Sequence, residues 1–121
     1  MASLADKIRP VVLLERGERL LCATFARSTA GPTVGPSVVA ISDRRLFVAP
    51  KTSFLSASAW SRRRLKEVRV VSGPRSRLGV VVGRRFEMLV DGVEVAFEVE
   101  DRKGSGAVHA ALTRGAGRTT P

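Results

Sequence analysis

Apolar and polar positions alternate most regularly from Phe86 to Glu98. Counting outward from Asp91-Gly92, the pair that a two-residue type I′ turn requires, Val90 faces Val93, Met88 faces Val95 and Phe86 faces Phe97. That register puts six apolar side chains on one face of a hairpin, and it sets Arg85 across from Glu98 as a cross-strand ion pair. Upstream, Leu65 to Val71 alternates as a half-buried strand, and Leu78 to Val82 reads as another, bounded by Gly83.

Continuous apolar runs mark the first half of the chain. Leu20 to Ala26 has the length and content of a strand, and the following stretch, with its two Gly-Pro steps, is a loop. Val38 to Ile41 and Leu46 to Ala49 flank Ser42-Asp43-Arg44-Arg45, a hairpin turn in which Ser and Asp side chains bond nearby backbone N-H groups. Residues 51–61 form a serine-rich loop with Phe54, Leu55 and Trp60 as apolar anchors.

Two helices bracket the strands. Ser3 and Asp6 have the spacing of a capping box for a short helix beginning at Leu4, with a kink or restart at Pro10, an end near Leu14 and Gly17 as the stop. Ser105 as N-cap and Gly115 just past the end enclose a second helix with Val108, Ala111 and Leu112 on its apolar side. Residues 1–115 are expected to form a single domain, and 116–121 a disordered tail with nothing to bury.

Charge changes this picture most. The 121 residues carry 21 Lys plus Arg and 11 Asp plus Glu, a net of +10, and the two signs are sorted along the chain. Between Arg44 and Arg85 stand twelve basic residues and one acidic residue, and from Phe86 to Asp101 six acidic residues and no basic one. Trp60, Arg62, Arg63 and Arg64, with Lys51, Lys66 and Arg69, form the candidate contact surface for an anionic partner. Changing Arg62, Arg63 and Arg64 together to Ser is expected to weaken binding with little effect on folding.

Candidate chemistry is otherwise sparse. The only histidine, His109, stands in the last helix among alanines with no zinc-ligand spacing around it, and the acidic residues alternate along strands where a calcium loop would gather them in a turn. No nucleophile with a base is visible, so no enzyme activity, metal, cofactor or small-molecule substrate is expected. The lone Cys22 lies among apolar neighbours and reads as a buried thiol in a reducing compartment. No apolar run exceeds four residues, so the expected location is the cytoplasm, including its membrane face.

The order of one short helix, six or seven strands joined mainly by hairpins and one closing helix resembles the bacterial PH-like domains, relatives of the pleckstrin homology and GRAM folds. The resemblance spans roughly residues 12–114. Gly17-Glu18 before the first long strand is similar to the Gly-Glu step of that family, Ile41-Ser42-Asp43-Arg44-Arg45-Leu46-Phe47 to its Thr-Asp/Asn-x-Arg-Leu turn, and Leu65-Lys66-Glu67-Val68 to its later basic strand. It implies a partly open barrel of two near-orthogonal antiparallel sheets closed by the C-terminal helix, and a non-enzymatic binding role. Pleckstrin homology domains that grip phosphoinositides place basic residues across the first hairpin, whereas only Arg27 stands near that loop here.

Four kinds of partner are compatible with the charge pattern to different degrees. An anionic membrane or an acidic protein surface suits the basic cluster, with Phe54 or Trp60 inserting at headgroup level. Basic-to-acidic contacts between copies would give a self-assembling protein. Nucleic acid suits the arginines less well, because aromatic residues make up only 5% of the chain and no nucleic-acid-binding motif appears.

Overall fold

The computed structural model describes residues 3–65, 70–77, 80–90 and 92–115. In order these form helix α1 (Leu4–Val12), strands β1 (Leu20–Ala30), β2 (Gly35–Ser42) and β3 (Arg45–Pro50), a single 3-10 turn (Ala57–Ala59), then β4 (Ser61–Arg64), β5 (Val70–Arg77), β6 (Val80–Val90), β7 (Val93–Val99) and helix α2 (Arg102–Gly115).

Seven strands make one antiparallel half-barrel sheet in the order β4-β3-β2-β1-β7-β6-β5. Hydrogen bonding is continuous because β1 is eleven residues long and serves two neighbours. Its length from Leu20 to Ser28 pairs with β2, and Arg27 to Ala30 pair with β7, with a register shift between Ser28 and Ala30. The hairpin register expected around Asp91-Gly92 holds at every described pair, from Val90 with Val93 to Arg84 with Val99; Asp91 itself lies outside the described residues. Arg85 faces Glu98 as counted, and its Nε holds Glu87 of the same strand at 2.7 Å.

Two apolar layers lie on opposite sides of the sheet. On the concave side, Val39, Ile41, Leu46, Val48, Phe86, Met88, Val95, Phe97 and Val99 pack against Val108, Ala111 and Leu112 of α2. The Phe86 and Phe97 rings stack with centroids 5.4 Å apart. On the convex side, the alternate residues Val38, Ala40, Phe47 and Ala49 are covered by Ile8 and Val12 of α1 and by Trp60. Each unbroken apolar run of β2 and β3 is therefore buried on both faces.

Both helix starts are capped locally. Ser3 and Asp6 form the expected capping box, the Asp6 amide donating to Ser3 Oγ at 3.2 Å and the Ser3 amide to Asp6 Oδ2 at 3.3 Å. Helix α1 contains Pro10 and stops at Val12, earlier than Leu14, because Leu13 turns into the left-handed region at φ 57°. Helix α2 begins one turn earlier than Ser105: Asp101 caps it through Oδ2, which accepts the Gly104 amide at 2.9 Å. Gly104 must be glycine, since a Cβ there would run into Thr24 Oγ1 of β1.

Several strand readings change: the stretch after Ala26, expected as a loop, supplies residues 27–30 of β1 and 35–37 of β2, and β5 runs on to Arg77. Ser61–Arg64 is a strand, although its three arginines break any apolar period, and β6 runs through Gly83. Of the strand expected at Leu65 to Val71, residues 66–69 lie outside the described residues, as do Leu78, Gly79 and the tail 116–121.

Phe97 is fully buried, so Phe97→Ala is expected to lower the unfolding free energy by about 3 to 5 kcal/mol. Denaturant unfolding of the two proteins measures this, and an unchanged midpoint would contradict the packing.

Candidate functional site

The convex layer decides where the basic residues go. Side chains alternate along β4, so Trp60, Arg62 and Arg64 share the side of Phe47, while Arg63 turns to the side of Leu46 and Leu65. Trp60 is only 4% exposed, and its indole N-H donates to the Phe54 carbonyl at 2.8 Å. It anchors the loop that covers β3.

Arg62 is half-buried and consumed by the fold. Its guanidinium donates to the carbonyls of Val12 (3.1 Å) and Val11 (2.9 Å) at the end of α1, and to those of Trp60 (3.0 Å) and Ala57 (3.1 Å). A cation at that place satisfies carbonyls that the helix leaves open and sits at the negative end of its dipole. Arg63 is half-buried, with its Nε lacking a hydrogen-bond partner among the described residues. Arg64 is exposed and ion-paired to Glu15 at 2.5 Å. Lys66 and Arg69 lie outside the described residues. Of the seven residues expected to act together, the five described ones, Lys51, Trp60, Arg62, Arg63 and Arg64, are divided, and the arginine triplet is not one solvent-facing patch.

The next carbonyl of the helix end leads to the principal buried charge. Arg45 Nη2 donates to Leu13 O at 3.1 Å and to Glu18 Oε1 at 2.5 Å, and its Nε meets Glu18 Oε2 at 3.0 Å. The Glu18 side chain is wholly buried and that of Arg45 10% exposed. Glu18 also accepts from the Ser42 hydroxyl (2.5 Å) and the Glu15 amide (2.7 Å), so both carboxylate oxygens are saturated. Burial alone would push this carboxyl up, but the bonds from Arg45, Ser42 and the Glu15 amide more than offset it and hold the group down at about 2. Ser42 Oγ further accepts the amides of Arg44 and Arg45, the turn chemistry anticipated for this hairpin, whereas Asp43 Oδ1 reaches out of the turn to accept the Arg19 amide just before β1. Gly17, at φ 80°, lets the chain turn just before Glu18.

At the opposite end of the convex face the surface is apolar and cationic. Phe25 of β1 is 47% exposed and meets Phe54 edge to face, with ring centroids 6.0 Å apart. Lys51 is exposed with its Nζ 5.2 Å from the centre of the Phe25 ring. Leu55 is 62% exposed on the β3–β4 loop and Val34 71% exposed on the β1–β2 loop. No acidic residue occurs from Arg44 to Lys66, nor from Arg19 to Ser42. Glu94 of β7 lies beyond the β1–β2 loop, beside Gly31, and Arg27 pairs across from Glu98. Sequence reasoning picked out Lys51 and Phe54 here but missed Phe25, whose neighbours Ala23 to Ala26 give no sign of which face stays open.

Other groups are quiet. Cys22 packs against the concave core, and burial pushes its thiol up to about 11, too high for a nucleophile at neutral pH. His109 is exposed, with Nδ1 3.4 Å from Arg84 Nη1. Among the described residues no group of three or more His, Cys, Asp or Glu could hold a metal ion, and no helix is long and apolar enough to cross a membrane.

No family model matches the chain, and no curated protein is similar to it. Among solved structures it is similar to the C-terminal domain of an unknown protein from Leishmania infantum, at 13% identity over 92% of this chain and 93% of that one, with a TM-score of 0.56. At that identity the likeness shows a shared fold alone.

Glu18 sits lower when folded than its ordinary 4.5, so its stabilisation is whole above pH 4.5 and is lost as the pH falls towards 2. Unfolding free energy followed by denaturant titration should drop by roughly 3 kcal/mol across that window. Glu18→Gln, which strands the Arg45 charge, should cost roughly 3 to 5 kcal/mol at pH 7 and flatten the acid dependence. An equally steep acid limb in that variant would show that other carboxyls carry it.

Arg62→Ala is expected to destabilise the fold by about 1.5 to 3 kcal/mol, because several carbonyls lose a charged donor together. Arg64→Ala, at an exposed pair, should stay within about 1 kcal/mol. Melting curves of the two variants check this, and equal shifts would refute the division between them.

Proposed function

We propose that the chain is a PH-like, non-enzymatic binding module that meets the anionic cytoplasmic face of a bacterial membrane through the end of its sheet bearing Phe25, Lys51, Phe54 and Leu55. The strand order and the closing α2 support the PH-like reading. So does the β1–β7 junction, where only Arg27 to Ala30 pair with β7 and where two near-orthogonal sheets would meet. The Gly17-Glu18 step and the Ser42-to-Leu46 turn, two motifs of the family resemblance, converge on one buried ion pair.

The carrying observation is the exposed Leu55 and Phe25 beside Lys51, on two hairpin segments without an acid. A cation near an anionic leaflet contributes about 1 kcal/mol, and burying a leucine adds about 1.5 to 3 kcal/mol. The sum is a weak, reversible contact. An acidic protein would be attracted by Lys51 but would leave Leu55 and Val34 with less to gain, which favours the membrane.

Co-sedimentation with vesicles tests the reading. Retention is expected on phosphatidylglycerol-containing vesicles and not on phosphatidylcholine alone, and Leu55→Ser with Lys51→Gln should abolish it while leaving the melting curve unchanged. Equal retention on both vesicle types, or none on either, would remove the membrane. Self-association between basic and acidic faces would appear in sedimentation velocity as a mass that falls with added salt. Nucleic acid would appear as an affinity that declines steeply with salt.

A further inference from the structure

Strand β4 ends the sheet on one side, bonded to β3 along one edge and open along the other. The Leu65 amide donates to Arg44 O at 2.9 Å, and Arg63, next on that face of the ladder, stands opposite Leu46. Bonding directions alternate in an antiparallel ladder, so the backbone of Arg63 turns to β3 while the N-H and C=O groups of Arg62 and Arg64 point away from the sheet. Among the described residues nothing pairs with those outward groups.

A buried donor lies in the middle of this edge. The Arg63 side chain leaves on the concave side, where Leu46 and Leu65 are buried, and its Nε is shut off from water with no acceptor among the described residues. Arginines also guard open edges against pairing, and the exposed Arg64 answers that description. A guard keeps its guanidinium in water, however, whereas a desolvated N-H without a partner is a cost that an incoming acceptor removes. The same arginines exclude a second copy as the source of that acceptor. The far edge of the sheet, β5, carries Arg75 and Arg77, so any edge-to-edge contact between copies sets arginine against arginine.

We propose that β4 takes an acidic, extended peptide of another protein as an eighth strand, with one carboxylate of the peptide seated on Arg63. In an antiparallel addition the backbones of Arg62 and Arg64 make the ladder, and the residue opposite Arg63 falls in a non-hydrogen-bonded pair, where side chains on one face stand closest. That residue is the acid, and it meets the guanidinium beside Leu46 and Leu65. Its immediate neighbours turn to the convex side, where Arg62 is held by α1 and Arg64 by Glu15, so they add little selectivity. Arg63 faces the start of β3 and Lys51 follows its end, so this contact and the membrane contact use opposite ends of that strand.

Amide and arginine side-chain resonances of the intact chain are followed during titration with a capped peptide that alternates Thr and Val around a central Glu. The same peptide with Gln at its centre, and one N-methylated along the backbone edge that would face β4, are the comparisons. The Glu peptide is expected to shift the Arg62 and Arg64 amides, slow their exchange with solvent and move the Arg63 Hε resonance. It should bind roughly tenfold tighter than the Gln peptide, and the N-methylated peptide should not bind. Arg63→Gln is expected to keep the melting curve and to bind the Glu and Gln peptides alike. Equal binding of those two peptides by the natural protein, shifts centred away from Arg62 to Arg64, or binding of the N-methylated peptide would each overturn the proposal. So would selectivity that survives in Arg63→Gln, or no binding at all. A short oligothymidylate that moved the same amides as strongly would also overturn it and make the edge a general polyanion surface. The peptide comparisons use the natural protein and decide the question even where Arg63→Gln fails to fold.

Discussion

An antiparallel hairpin ordinarily hides one face and wets the other, but β2 and β3 are apolar on both. Val39, Ile41, Leu46 and Val48 fill the hollow of the half-barrel, while Val38, Ala40, Phe47 and Ala49 need a second cover on the convex side. That need accounts for most of what surrounds them. It recruits a nine-residue helix too short to be stable alone, a loop pinned by an indole, and two arginines that donate to the carbonyls of the helix end. The Glu18–Arg45 pair closes the same layer at its polar edge, where the price of burying a carboxylate is met by saturating both of its oxygens.

Much of this was legible in the sequence, and the boundary falls at a physical line. Period-two alternation and the Asp91-Gly92 turn determine a register by local rules, so the β6–β7 pairing follows from counting. Capping chemistry at Ser3 and turn chemistry at Ser42 are equally local. The fate of Trp60 and Arg62 is not. Whether an indole or a guanidinium is wet depends on what lies over it, and α1 is some fifty residues away in the chain. One hint was present: the four-residue apolar runs of β2 and β3 show no alternation, which signals burial on both faces and hence a missing cover.

The sorting of charge along the chain survives folding in altered form. In sheet order, arginines stand on β4 and β3 at one edge and on β6 and β5 at the other, β2 carries no charge, and the acids of β7 lie between Arg27 of β1 and Arg84 and Arg85 of β6. Yet several cations near the surface are already occupied, Arg64 by Glu15, Arg85 by Glu87, Arg45 by Glu18 and Arg62 by carbonyls. Counting charges overstates the field that a partner meets. What remains distinctive is a small acid-free corner where Lys51 stands beside exposed apolar groups.

Arg62 belongs to a four-residue strand at the rim of the sheet and grips the last turn of a helix that lies 50 to 51 residues before it in the chain. Neither element has a large interface of its own. Because one guanidinium serves both, they share a fate: when the rim strand frays, the helix loses its anchor, so the two are expected to exchange their amide hydrogens as a single cooperative unit, apart from the β6–β7 hairpin.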